Sequence, residues 1–129
     1  MMAATPNAQI SRAQSLFDKY GGFPTVRQVI MDFYDRVLDS DVVGHFFEDV
    51  DMRRLVDHQT KFIASLLGGP ADFADERLGR AHAHLGVTHR HFDEIKLLLG
   101  ATLQAAGFAP EDHDTVMDAV EARRTVIVA

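Results

Sequence analysis

The chain contains no cysteine. That absence excludes disulfides, zinc–thiolate sites, iron–sulfur clusters, a thiolate axial ligand and covalent attachment through a CxxCH motif. It also agrees with a reducing compartment, so a cytoplasmic location is expected. Positive charge is scarce: 13 Lys and Arg stand against 19 Asp and Glu, leaving a net charge of −6. With no local basic run to offset this, nucleic acid and anionic membrane surfaces are disfavoured as partners. No apolar stretch approaches the ~20 residues needed to cross a bilayer, so stable membrane insertion is not expected. The opening MMAATPNAQISRAQ lacks a basic segment followed by an apolar run, and reads as a mobile polar arm over residues 1–13 rather than a secretory leader. Strand-like alternation and internal repeats are missing too. What remains, residues 14–129, is predicted to be one all-α domain.

The helical pattern has clear punctuation. Residues 11–20 are predicted to form a short helix capped by Ser11 and stopped by Gly21-Gly22. Pro24 suits the first turn of a second helix, whose apolar face runs through Val26, Val29, Ile30, Phe33, Val37 and Leu38. Asp39, Ser40 and Asp41 supply a stop and a new cap. In VVGHFFEDV the adjacent Phe46 and Phe47 are expected to straddle a turn, one in the core and one less buried. Asp51 caps a third helix with an inward stripe of Leu55, Gln59, Phe62, Ile63 and Leu66, ended by Gly68-Gly69-Pro70. Residues 71–88 read as irregular around one short helix near 76–83, because Gly79 and Gly86 weaken anything longer. Thr88 caps a strong helix carrying Phe92, Ile95, Leu98, Leu99, Thr102, Leu103 and Ala106, closed by Gly107. Pro110 opens a last helix with Val116, Ala119, Val120, Arg123 and Ile127 in one register.

Two histidines stand out. His58, in DHQTKFIASL, and His82, in RLGRAHAHLGV, lie in separate apolar-rich segments on either side of LGGP (67–70). One imidazole from each of two facing segments could hold a planar iron cofactor, with either or both as axial ligands. On a helix His82 shares a face with Leu78, whereas His84 points about 200° away, so the two chelate one ion poorly. The plain alternative for His82 is a capping or surface histidine. His58 lies beside Leu55 and Phe62 and borders the core. Gln59 points inward, where an unpaired amide costs about 1–3 kcal/mol, so it needs a partner. That partner is the Tyr34 hydroxyl, water or a ligand. His45, His89, His91 and His113 read as helix-start hydrogen-bonders or solvated groups. Arg53, Arg54, Lys61, Arg77 and Arg80 read as solvated helix faces, of which one or two could pair with the carboxylates of an anionic cofactor.

Taken together these stretches resemble the group I truncated haemoglobins, including the cyanobacterial-type globins. The matching segments are YGG (20–22), DFYDRVL (32–38), HFFEDVDM (45–52), HQTKF (58–62), LLGGP (66–70), RAHAHLGV (80–87) and HFDEI (91–95), in family order. The resemblance implies a truncated globin fold, a two-on-two helical sandwich around haem b. It makes His82 the proximal iron ligand and places Phe47, Leu55, His58, Phe62, Leu78, Val87 and Phe92 around the cofactor. Tyr34 and Gln59 match the distal hydrogen-bonding positions. Leu55 replaces what is often a polar distal residue. His58 matches a position that is a second iron ligand in some members and a propionate partner in others. RRTVIVA (123–129) lacks the histidine that in some relatives bonds covalently to a haem vinyl group, so that link should be absent, and His113 lies too early to replace it.

The function implied is binding of O2 and other diatomic ligands such as NO and CO. Its enzymatic extension is NO dioxygenation, which would need a reductase from outside the chain. A bis-histidyl resting state is a further expectation. The competing reading is a non-haem helical metal-binding or structural protein using the cluster His82, His84, His89 and His91.

Overall fold

The computed structural model describes residues 15–70, 75–83 and 85–128, with residues 75–78 through their backbone only. The arm expected over 1–13, the side chain of Leu78 and His84 lie outside the described residues. Among the described residues seven α-helices and one 3-10 turn follow in order: α1 (Leu16–Lys19), α2 (Phe23–Leu38), the turn Gly44–Phe47, α3 (Met52–Leu66), α4 (Asp75–His82), α5 (His89–Ala105), α6 (Pro110–Glu121) and α7 (Arg124–Ile127). No strand occurs among the described residues. The all-α expectation holds.

Several boundaries are set by the predicted chemistry. The Asp51 carboxylate accepts the Arg54 N–H at 3.3 Å and starts α3. Thr88 and His91 form a reciprocal capping box that starts α5: the Thr88 hydroxyl accepts the His91 N–H at 3.2 Å, and His91 Nδ1 accepts the Thr88 N–H at 3.0 Å. Pro24 and Pro110 sit in first turns, where their missing N–H costs nothing. Gly107, at φ +88°, closes α5 in a conformation that L side chains rarely adopt.

Other boundaries differ from the pattern. Ser15 caps α1: its backbone is extended and its hydroxyl accepts the Asp18 N–H at 3.1 Å, while Ser11, the expected cap, lies outside the described residues. Leu38 leaves the apolar face of α2 and is exposed, as is Ala106 at the end of α5. Phe46 and Phe47 do not divide into inner and outer rings; both are half-buried and border the same cavity. The last helix breaks at Ala122–Arg123, so Ile127 belongs to a separate turn, α7.

Packing pairs α2 with α3 and α5, α5 with α6, and the short α4 with α7. The core's most buried large side chains include Ile30, Val37, Val43, Leu103 and Val116, all nearly inaccessible. At the far edge, Tyr20 stacks on Phe108 with ring centres 3.9 Å apart. Its hydroxyl donates to Asp112 at 2.5 Å and accepts the Ala109 N–H at 3.0 Å. Lys19 adds an ion pair to Asp112 at 2.6 Å, which ties α1 to the start of α6.

Candidate functional site

Between these helix pairs lies a cavity of about 590 Å³. Its walls are built by Ile30, Phe33 and Tyr34 on α2, Phe46 and Phe47 in the 3-10 turn, Leu55, His58, Gln59 and Phe62 on α3, His82 on α4, Phe92, Ile95 and Leu99 on α5, Val120 on α6 and Ile127 on α7. Val87 completes it from the loop before α5. Most of these side chains are apolar, which is how a pocket that encloses a large flat ligand is built.

The structure therefore brings together the residues singled out from sequence. Tyr34, Phe47, Leu55, His58, Gln59, Phe62, His82, Val87 and Phe92 all line one cavity. Their placement follows from helical spacing. Leu55, Gln59 and Phe62 recur every three or four residues along α3, and His58 sits on the edge of that stripe, exposed. His82, the last residue of α4, is half-buried.

Tyr34 is the most constrained of the polar members. It is 6% exposed, and its ring meets Phe33 at 4.9 Å and Phe47 edge-on at 5.6 Å between centres. Its hydroxyl makes no hydrogen bond to a described residue, and burial pushes its pKa up, so the phenol stays protonated. The expected alternative, a Tyr34–Gln59 hydrogen bond, is not formed. The Gln59 amide has no hydrogen-bonding partner among the described residues either. Both residues line the cavity, so their polar groups are available to whatever occupies it.

His91, expected as a helix-start hydrogen-bonder, also lines the cavity. Its role as a helix-start hydrogen-bonder is correct, but its ring also packs edge-on against Phe46 at 4.8 Å. The capping box from Thr88 was the available signal. Arg54, one of the candidate cations, reaches the cavity, whereas Arg53, Lys61 and Arg80 are exposed and off its lining. Arg77 has no described side chain. His113 is not simply on the surface: it is half-buried against Gly100.

The donor set fits one kind of cofactor. Among the described residues no three His, Cys, Asp or Glu side chains are grouped to hold a bare metal ion. His91 is committed through Nδ1 to Thr88, and His89 Nδ1 lies 3.2 Å from Arg124. An apolar cavity with imidazoles from two different helices and an unpartnered phenol suits a metal that arrives already held in its own ring and needs only axial ligands. These features define a globin-type site.

Comparison with known proteins agrees. The description of the bacterial-like globins matches residues 15–128. The chain belongs to that family, and within it to the group 1 truncated haemoglobins. It is 34% identical to the group 1 truncated haemoglobin of Tetrahymena pyriformis, over 76% of this chain and 81% of that one. It is 37% identical to the group 1 truncated haemoglobin GlbN of Synechocystis sp., over 76% and 82% of the two chains. Among solved structures, the T. pyriformis protein in its Fe(III) form superposes with a TM-score of 0.83 at 30% identity, over 90% of this chain and 99% of that one. The 2/2 haemoglobin of Synechococcus sp., in the cyanomet state with covalently attached haem, gives 0.78 at 31% identity, over 88% and 98%. Family membership makes this a haem-based site for a small diatomic ligand. Among the described residues, no helix is long and apolar enough to cross a membrane.

Proposed function

We propose that the protein is a cytoplasmic haem b protein that reversibly binds O2 and related diatomic gases. His82 is its permanent iron ligand, and Tyr34 and Gln59 form its hydrogen-bonding wall. The observation that carries this reading is the protonated Tyr34 hydroxyl, carried on a buried residue at the cavity wall and making no hydrogen bond to a described residue.

When bound, haem supplies the iron at which a gas coordinates reversibly. The chain's own residues decide how the gas is held. Tyr34 donates its O–H towards it, and Gln59 can turn its amide N–H the same way. Leu55 keeps the stretch of wall one turn before Gln59 apolar, so the polar contact is confined to the other two. Phe33, Phe47, Phe62 and Phe92 keep water out, which strengthens each hydrogen bond that is made. His58, exposed on α3 and lining the cavity, would supply a second imidazole to the iron when no gas is present. Gas affinity is then reduced by the fraction of molecules in which His58 has left. Residues 122–128 contain no histidine, so haem is held without a covalent link.

Titration of the purified haem-free protein with haemin tests this directly. The expected result is one haem per chain with a sharp Soret band, and a His82→Ala variant that holds haem far more weakly. A wild-type chain that gives no haem-dependent band overturns the reading.

A further inference from the structure

Arg124 has no part in the site as described, yet it is the most heavily bonded side chain near it. Its side chain is only 19% exposed. Nε donates to Glu121 Oε2 at 2.7 Å, and one terminal nitrogen donates to Glu121 Oε1 at 3.0 Å and to Asp93 Oδ1 at 2.5 Å. The other terminal nitrogen lies 3.2 Å from His89 Nδ1. The guanidinium carbon sits 4.6 Å from the centre of the Phe92 ring. Lys96 closes the network by donating to Glu121 Oε1 at 2.7 Å. One cation thus joins the first turn of α5 to the end of α6 and the start of α7. Only a planar fork can make all these contacts at once; a lysine would lose most of them.

What this clamp holds in place is α7, a single helical turn of four residues. On its other side α7 supports the helix that carries His82. Val126 lies against Gly79: a Cβ on Gly79 would already be 3.4 Å from Val126 Cγ1 and 3.6 Å from the Val126 carbonyl oxygen. Gly79 precedes His82 by three residues on α4. An eight-residue helix is marginal on its own, so α4 depends on tertiary packing, and α7 is its main partner. Ile127 on α7 and Phe92 beneath the guanidinium both line the cavity, so the clamp touches the cavity wall on either side.

We propose that Arg124 is a positioning residue for the proximal side of the site: it locks α7 to α5, and α7 in turn holds α4 and His82 against the cofactor. This inference rests on the assignment of His82 as the iron ligand. It assigns Arg124 a duty distinct from general stability, namely resistance of the His82–iron link to strain.

Nitric oxide is the probe, because it weakens the bond on the opposite side of ferrous haem whatever the resting state of His58. Electron paramagnetic resonance of the haem-loaded ferrous protein with NO should show mainly the six-coordinate signal in the wild type. In Arg124→Ala the ratio of five- to six-coordinate signal should rise roughly tenfold, in line with the coupling carried by packed networks. Arg124→Lys should behave like Arg124→Ala. If Arg124→Ala does not fold, Asp93→Asn removes the charge from one arm of the clamp at an exposed position and should give a smaller rise in the same direction. A folded Arg124→Ala or Asp93→Asn protein with the wild-type signal overturns the proposal, whatever its unfolding midpoint. The assignment of His82 fails separately, if the wild type takes up no haem or if His82→Ala keeps the wild-type six-coordinate signal.

Discussion

Tyr34 and Phe47 meet edge to face, with ring centres 5.6 Å apart, and this contact fixes the phenol of Tyr34 at the wall of the cavity. The aromatic pair positions the ring, while the hydroxyl makes no hydrogen bond among the described residues. Tyr34→Phe should therefore leave the unfolding free energy within about 1 kcal/mol of wild type, because no protein hydrogen bond is lost. Release of O2 from the ferrous haem protein should accelerate by roughly ten- to a hundredfold, the equivalent of one charge-assisted hydrogen bond of about 1.5–3 kcal/mol. Urea unfolding and stopped-flow ligand displacement measure the two effects separately.

Gly69 offers the opposite case, a position that matters to the fold and not to the site. A Cβ there would fall 2.7 Å from a Phe17 ring carbon and 3.0 Å from the Ala64 carbonyl oxygen. Phe17 is buried and cannot simply swing away. Gly69→Ala should cost about 1–3 kcal/mol in urea unfolding through overpacking, with the haem spectrum unchanged.

Acid should loosen the molecule through two carboxylates. The Lys19 ammonium, and after it the Tyr20 hydroxyl, hold Asp112 below the usual carboxylate range. Arg124, and after it Lys96, hold Glu121 at about 2. A carboxylate whose pKa is depressed by folding contributes stability that is complete above its ordinary value of about 4 and disappears as pH falls through the folded value. Asp112→Asn should lower the melting temperature by a few degrees at pH 7, and the gap from wild type should narrow as pH drops below about 4. A gap that is constant from pH 7 to pH 2.5 would show that charge plays no part. Thermal melts across that range decide it.

The sequence marked residues that line the cavity more fully than it marked the boundaries of the fold. His58, Gln59, Phe62 and His82 were visible because polar groups interrupt apolar stripes whose helical period is strong, and Tyr34 because it sits beside Phe33. Asp51, Thr88, Pro24 and Pro110 marked helix starts because capping is local chemistry. Events driven by tertiary contact were not legible. The break at Ala122–Arg123 has neither glycine nor proline to announce it; Arg124 is drawn aside by Asp93 and His89, more than thirty residues earlier in the chain. Phe46 and Phe47 both face the cavity because the 3-10 turn that carries them opens directly onto it, which no pattern of adjacent residues reveals.

The central claim is that His82 holds haem iron in this cavity, with His58 opposite it until gas arrives. Absorption spectra of the ferric and ferrous protein, recorded for wild type, His58→Ala and His82→Ala, test it most directly. Low-spin spectra are expected in the wild type, a high-spin ferric spectrum in His58→Ala, and loss or misligation of haem in His82→Ala. A wild-type spectrum that survives His82→Ala unchanged would contradict the account.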